Sequence, residues 1–187
     1  MSSPTFRHVR AALAATLGVV VACAGGHERA EDPHTSLLPY SPEAAVLFDD
    51  VLAPAVFGFD PEGRKPASDP KLKERTRQAE FVLAARVETV SRTGGAEHSG
   101  AYEVTLAPSS PALVGAADGP VVLSVPASSP SYTWVDGAGV NWVGSRLLVF
   151  GRHFRDGNAS ALHFRCEPDT PEMRAAVQRN AGLRLLR

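Results

Sequence analysis

Apolar and polar positions change their spacing several times along this chain, and each change marks an element. An unbroken run of small and apolar residues from Ala11 to Ala22 follows Arg7, His8 and Arg10. Residues 24–40 are polar, contain proline and glycine, and read as a flexible tether. Ser41-Pro42-Glu43 then supplies a helix start: a serine N-cap, proline at the first helical position and an early acid. Val46, Leu47, Val51 and Leu52 continue at helical spacing, and Pro54 is expected to end the helix. Residues 58–75 are rich in proline and charge and read as loop.

From Gln78 onward the period becomes two. Phe81 to Val90 predicts a long strand, residues 91–100 a turn region, and Tyr102 to Leu106 a cleanly alternating second strand. Val121 to Val125 predicts a third strand, closed by Pro126. Tyr132 to Val135 and Val140 to Val143, joined by Asp136-Gly137-Ala138-Gly139, resemble a hairpin. Arg146 to Gly151 is strongly apolar and predicts a central strand; Ala161 to Cys166 is expected to return antiparallel to it after Asp156-Gly157-Asn158. Asp169 and Glu172 fit a capping box, Pro171 opens a helix carrying Met173, Ala176 and Val177, and Gly182 suits its end.

Short strands at this spacing predict a mainly β chain, a small antiparallel barrel or sandwich, with a short N-terminal helix and a C-terminal helix. The strand order of residues 78–170 resembles the OB-type barrel of netrin-like and tissue-inhibitor-like domains. The paired cysteines of those families are missing, so no inhibitory function carries over. The expected organisation is a signal peptide at 1–22, a lipidated tether at 23–40, a helix-and-loop lead-in at 41–75 and a β-domain with its helix at 76–187.

The amino terminus carries a second resemblance. The twelve-residue apolar run is shorter than the roughly 20 residues that span a bilayer, and has the length of a signal-peptide core. Val20-Val21-Ala22-Cys23 resembles the lipobox of bacterial lipoproteins, with an aliphatic residue at −3, a small one at −1 and cysteine at +1. The resemblance implies cleavage before Cys23, a diacylglycerol on its sulfur and acylation of the new amine. More than one acyl chain gives stable anchoring. Ala24 in the second mature position implies the outer membrane, facing the periplasm or the surface.

Composition narrows the partners. The formal charge is −1, and loss of Arg7 and Arg10 with the signal leaves the mature chain near −3, without the basic footprint of a nucleic-acid binder. The expected partners are therefore the membrane, through the lipid, and an envelope protein.

Candidate chemistry is sparse. Lipidation of Cys23 leaves Cys166 as the one remaining thiol, with His163 three residues away and so on the opposite face of a strand. His153 and His163 flank the Asp156-Gly157-Asn158 turn, and in one register would sit nearly opposite each other, but no third metal ligand has a recognised spacing. Asp49-Asp50 and Asp60-Pro61-Glu62 are acid pairs that read as solvated surface. Trp134 and Trp142 flank the glycine-rich turn, where they either pack across the hairpin or form a binding edge. No phosphate-binding glycine loop, serine elbow or HExxH sequence occurs, so no cofactor and no catalytic constellation is expected. These features point to a non-catalytic, membrane-anchored lipoprotein that presents a β-domain for protein interaction or envelope assembly. The alternatives are a small-ligand or glycan binder using residues 131–143, and an enzyme built on Cys166.

Overall fold

The computed structural model describes residues 37–60, 63, 65–94, 100–117 and 119–183. The expected export signal, Cys23 and the tether as far as residue 36 lie outside the described residues. No helix among the described residues is long and apolar enough to cross a membrane.

The strands are β1 (Val51–Leu52), β2 (Phe81–Thr93), β3 (Ala101–Pro108), β4 (Val121–Val125), β5 (Arg146–Asp156) and β6 (Ala159–Pro168). They form one sheet in the order β1-β6-β5-β2-β3-β4. β1 runs parallel to β6, and every other pairing is antiparallel. The helices are α1 (Pro42–Leu47), α2 (Pro70–Gln78), α3 (Tyr132–Ala138) and α4 (Pro171–Gly182). The chain is mainly β, as its alternation predicts, and has both terminal helices. The sheet is not closed into a barrel, because β1 and β4 remain its two edges.

Alternation distributes side chains to two cores. Phe81, Leu83, Ala85 and Val87 of β2 join Leu147 and Val149 of β5, Phe164 and Cys166 of β6, and Val104 and Leu106 of β3 in one cluster. That cluster also takes Leu123 and Val125 of β4, so the sheet curves around it. Val82 and Ala84, with Leu148 and Phe150, meet α1, α2 and α4 on the other face through Ala44, Phe48, Leu72, Met173 and Val177. Burial on both faces is why β2 and β5 read as near-continuous apolar runs. Each fully buried Leu, Val or Phe contributes about 1.5–3 kcal/mol.

Two local devices shape this sheet. A bulge at Glu88 shifts the β2–β3 register between Val87 and Thr89, so Val87 and Val90 both reach the same cluster. Gly151 faces Phe81 across the β2–β5 ladder, and a Cβ there would overlap the Phe81 ring.

Several expectations change. Ser41 caps α1 as anticipated, accepting the Ala44 N–H at 3.3 Å, but the helix ends at Leu47 and Val51-Leu52 become edge strand β1. Part of the segment read as loop is α2, capped by Asp69 with Pro70 in its first turn. Its one buried aliphatic, Leu72, gives too little apolar periodicity to mark a helix. The expected hairpin over 132–143 is instead α3 followed by a 3-10 turn at Gly139–Trp142. Burial of Val135 and Trp142 overrides the β preference of their β-branched and aromatic neighbours. Thr170, rather than Asp169, caps α4, accepting the Met173 N–H at 3.2 Å. Asp169 instead grips the Arg174 guanidinium.

The last residues of the expected tether are docked. Pro39 bridges Arg155, the Tyr40 N–H donates to the Arg155 carbonyl at 3.1 Å, and the Arg155 N–H donates to Leu38 at 2.8 Å.

Candidate functional site

Trp134 and Trp142 do come together, though not across a hairpin. The 3-10 turn at Pro54–Phe57 places Phe57 between them, 5.9 Å from the Trp134 ring and 4.8 Å from that of Trp142. Gly58 closes this turn with φ 84°, a conformation open to glycine, and delivers Phe59 to the other tryptophan contact, 5.8 Å from Trp134. The two tryptophans have different parts. Trp142 is 3% exposed, a core residue whose indole Nε1 is buried without a partner. Trp134 is 38% exposed, beside Phe59 at 54%, and Val140 and Val143 are exposed at 78% and 45% next to Trp142 in the chain. This aromatic edge is the candidate recognition surface. Phe57 and Phe59 were not legible as members of it, because their proximity to α3 depends on how β1 and its following turn pack.

The edge is held from below. Ser131, wholly buried at the start of α3, accepts the Leu52 N–H at 2.8 Å. Tyr102 of β3 donates to Asp136 at the end of α3.

The acid pair Asp49-Asp50 is not solvated surface. Asp50 accepts the Phe164 N–H at 2.9 Å on one oxygen and His163 Nδ1–H at 2.8 Å on the other. These bonds hold Asp50 in a left-handed conformation at φ 54°, which aspartate tolerates better than most residues. Burial pushes its carboxyl above the usual carboxylate value, and the bonds from Phe164 and His163 offset this only in part. Asp49 pairs with Arg165 at 2.7 Å. Asp60 is exposed, and Glu62 lies outside the described residues.

The two histidines do not face each other. His153 pairs with Leu162 and His163 with Arg152, which puts the imidazoles on opposite faces. His163 is 9% exposed and its Nε2 is buried without a partner. His153 meets Glu80, whose carboxylate takes its N–H at 3.0 Å and its Nδ1–H at 3.0–3.1 Å. Burial opposes ionisation of Glu80, yet these bonds outweigh it and hold the carboxyl below its ordinary value. The pair opens on a groove of about 360 Å³ whose walls include Phe81, Val121 and Leu162; among the described residues its lining holds no Ser, Thr, Cys or Lys to act as nucleophile.

Cys166 is fully buried rather than half-buried. Burial pushes its thiol well above the ordinary value, with the Glu167 carboxylate adding to the effect, so the thiolate needed for nucleophilic work is disfavoured. Among the described residues, no group of three or more His, Cys, Asp and Glu side chains is placed to hold a metal ion.

No family model matches this chain, and no match to it is found among the curated proteins or the solved structures.

Proposed function

We propose that the chain is a lipid-anchored envelope protein, outer-membrane bound, that presents its aromatic edge to a protein partner with an apolar contact surface and catalyses nothing itself. In this reading Cys23 carries the lipid and the following residues form a spacer. The observation that carries the reading is the placing of two features along β5. Leu38 and Tyr40 hydrogen-bond Arg155 near one end of that strand. At the other end Ser145, just before Arg146, donates to the Trp142 carbonyl at 3.1 Å. The ten steps along this eleven-residue strand span about 33 Å at ~3.3 Å per residue. Trp142, which Phe57 links to Trp134, therefore lies at the opposite end of β5 from Leu38, which in this reading leaves the aromatic edge open to another protein.

A glycan on the same edge would need a free indole face. Phe57 and Phe59 both lie near-parallel to Trp134, at 17° and 28°, and use that face area. Exposed apolar side chains already stacked on one another favour a protein partner.

The test has two arms. Cys23→Ala should abolish acyl labelling and release the protein from membranes; persistent labelling would overturn the anchor. A photo-crosslinking residue in place of Trp134 or Val140, in intact envelopes, should trap one discrete partner, while the same residue at exposed Val122 on β4 should not. Equal trapping at all three positions, or none at the edge, would overturn the interaction reading.

A further inference from the structure

Residues 38–59 form one strap that crosses an edge of the sheet. It starts beside β5, where Leu38 and Tyr40 hydrogen-bond Arg155 and the Tyr40 ring stacks on His163. α1 then lays Ala44, Leu47 and Phe48 into the cluster on the helical face. Past Asp50 the chain becomes β1, puts Leu52 into the opposite cluster and packs Phe57 against it. Phe57 and Phe59 complete the aromatic edge on Trp134 and Trp142. The tether end and the aromatic edge are the two ends of a single segment.

Asp50 is the crossing point, and its N–H, its carbonyl and both side-chain oxygens are all engaged. The N–H donates to the Phe164 carbonyl at 2.9 Å, and Oδ1 accepts the Phe164 N–H at 2.9 Å. Oδ2 accepts at 2.8 Å from His163, the ring on which Tyr40 lies. The carbonyl accepts from Ser129 Oγ at 3.5 Å. Ser129 Oγ in turn accepts the N–H of Ser131, whose hydroxyl holds Leu52. One residue therefore bears on Tyr40 through its side chain and on the start of α3 through its carbonyl. Phe48 and Leu52, two positions to either side, are fully buried on opposite faces. Two residues of chain span at most about 7 Å, so neither anchor has slack to stay in place once Asp50 leaves β6.

The hold on the strap is narrow. β1 has two residues and pairs with β6 alone, whereas β2 and β5 are laddered on both sides. Segments held by few bonds open at lower free energy than the strands they lie on.

We propose that residues 38–59 dock and undock as one unit through Asp50, so that the aromatic edge is assembled only while the tether end is docked. The consequence for recognition rests on that edge being the recognition surface. A partner bound to the assembled edge holds the tether end in place, and release of the tether end weakens the partner by the same factor.

The experiment is native-state hydrogen exchange, followed by NMR on the full chain in detergent at low denaturant concentrations. The amides of Tyr40, Phe48, Leu52 and Ala53 should exchange through one opening with a common denaturant dependence. The buried indole N–H of Trp142, against Phe57, should follow the same opening. That opening should be about tenfold or more as populated as the one that exposes β2 and β5. This comparison needs no variant. Asp50→Ala should populate the opening about tenfold further at all of these positions alike. Asp50→Asn keeps an acceptor for Phe164 and tolerates the left-handed conformation, so it should stay close to the parent. Leu123→Ala on β4, at the far edge of the sheet, should speed exchange in β2 and β5 and leave the strap's opening unchanged. Separate openings on the two sides of Asp50, a rise on one side only in Asp50→Ala, an Asp50→Asn variant as open as Asp50→Ala, or equal acceleration of strap and strands by Leu123→Ala would overturn the proposal. Trapping at Trp134 in envelopes is a separate measurement. Its failure removes the recognition surface and leaves the shared opening standing, while a divided opening removes the coupling and leaves the trapping.

Discussion

The ring of Tyr40 lies flat on the imidazole of His163, with centroids 3.5 Å apart and planes 7° from parallel. Tyr40 also donates its hydroxyl to the Phe48 carbonyl, and His163 donates to Asp50. One stack therefore fastens the segment before α1, the turn after it and strand β6. It fixes where the amino-terminal chain leaves the sheet, which the proposed display of the aromatic edge requires.

Tyr40→Ala is expected to cost about 1–3 kcal/mol. It should also increase amide exchange over residues 37–50 more than over β2 and β5. Uniform loss of protection would show that the stack supports the whole core instead.

The same tyrosine sets an alkaline limit. Its hydroxyl is pushed up to about 12 by burial, with the charges of Asp50, Asp49 and Asp156 adding to it. The folded value lies above the unfolded one, so this contribution is intact below pH 10 and is lost as pH rises from 10 through 12. Tyr102, whose hydroxyl is raised by its hydrogen bond to Asp136, also titrates late, so ultraviolet titration of Tyr40→Phe should lose the last ionisation, at about 12, and keep that of Tyr102.

Ser131→Ala should destabilise by about 1–3 kcal/mol, because the buried Leu52 N–H loses its acceptor at the outer edge of β1. Since α3 also carries Trp134, near-ultraviolet circular dichroism should change together with the unfolding midpoint. A silent spectrum would separate the aromatic edge from this bond.

Glu167→Gln should be among the most damaging single changes on the helical face, at about 3–5 kcal/mol, because Arg75 and Arg165 share Glu167 Oε1. Chemical denaturation would measure it. A loss below about 1 kcal/mol would mean that the two guanidiniums find other acceptors.

Cys166 should resist thiol reagents in the folded protein and react fully only after denaturation, since it is wholly buried and its thiol is pushed upward. Rapid labelling under native conditions would show that β6 opens near the Cys166 position.

The elements that sequence patterning reveals here are those whose energetics are local. Ser41-Pro42 marks α1, and alternation marks β2, β3 and β4, with Val121–Val125 matching its expected bounds. Asp69-Pro70 was a usable helix signal that the charge of α2 concealed. Trp134 and Trp142 were visible as a pair near a glycine turn, but Phe57 and Phe59 were not, since they reach α3 only through tertiary packing. The ion pairs of Arg75 and Arg165 were less legible still. Arg75 meets Glu167 across 92 positions and Arg165 meets Asp49 across 116, distances over which no periodicity operates.

By itself the sequence determined the Ser41 cap, strand alternation, the mainly β character and the two terminal helices, because each follows from contacts within a few residues. Tertiary structure alone decided that β1 lies parallel to β6, that residues 132–142 form a helix and a turn, and that Asp50 and Glu167 are taken up by the fold. The physical reason is that burial and ion pairing act through space: one buried tryptophan or one shared carboxylate outweighs the smaller propensity differences written along the chain.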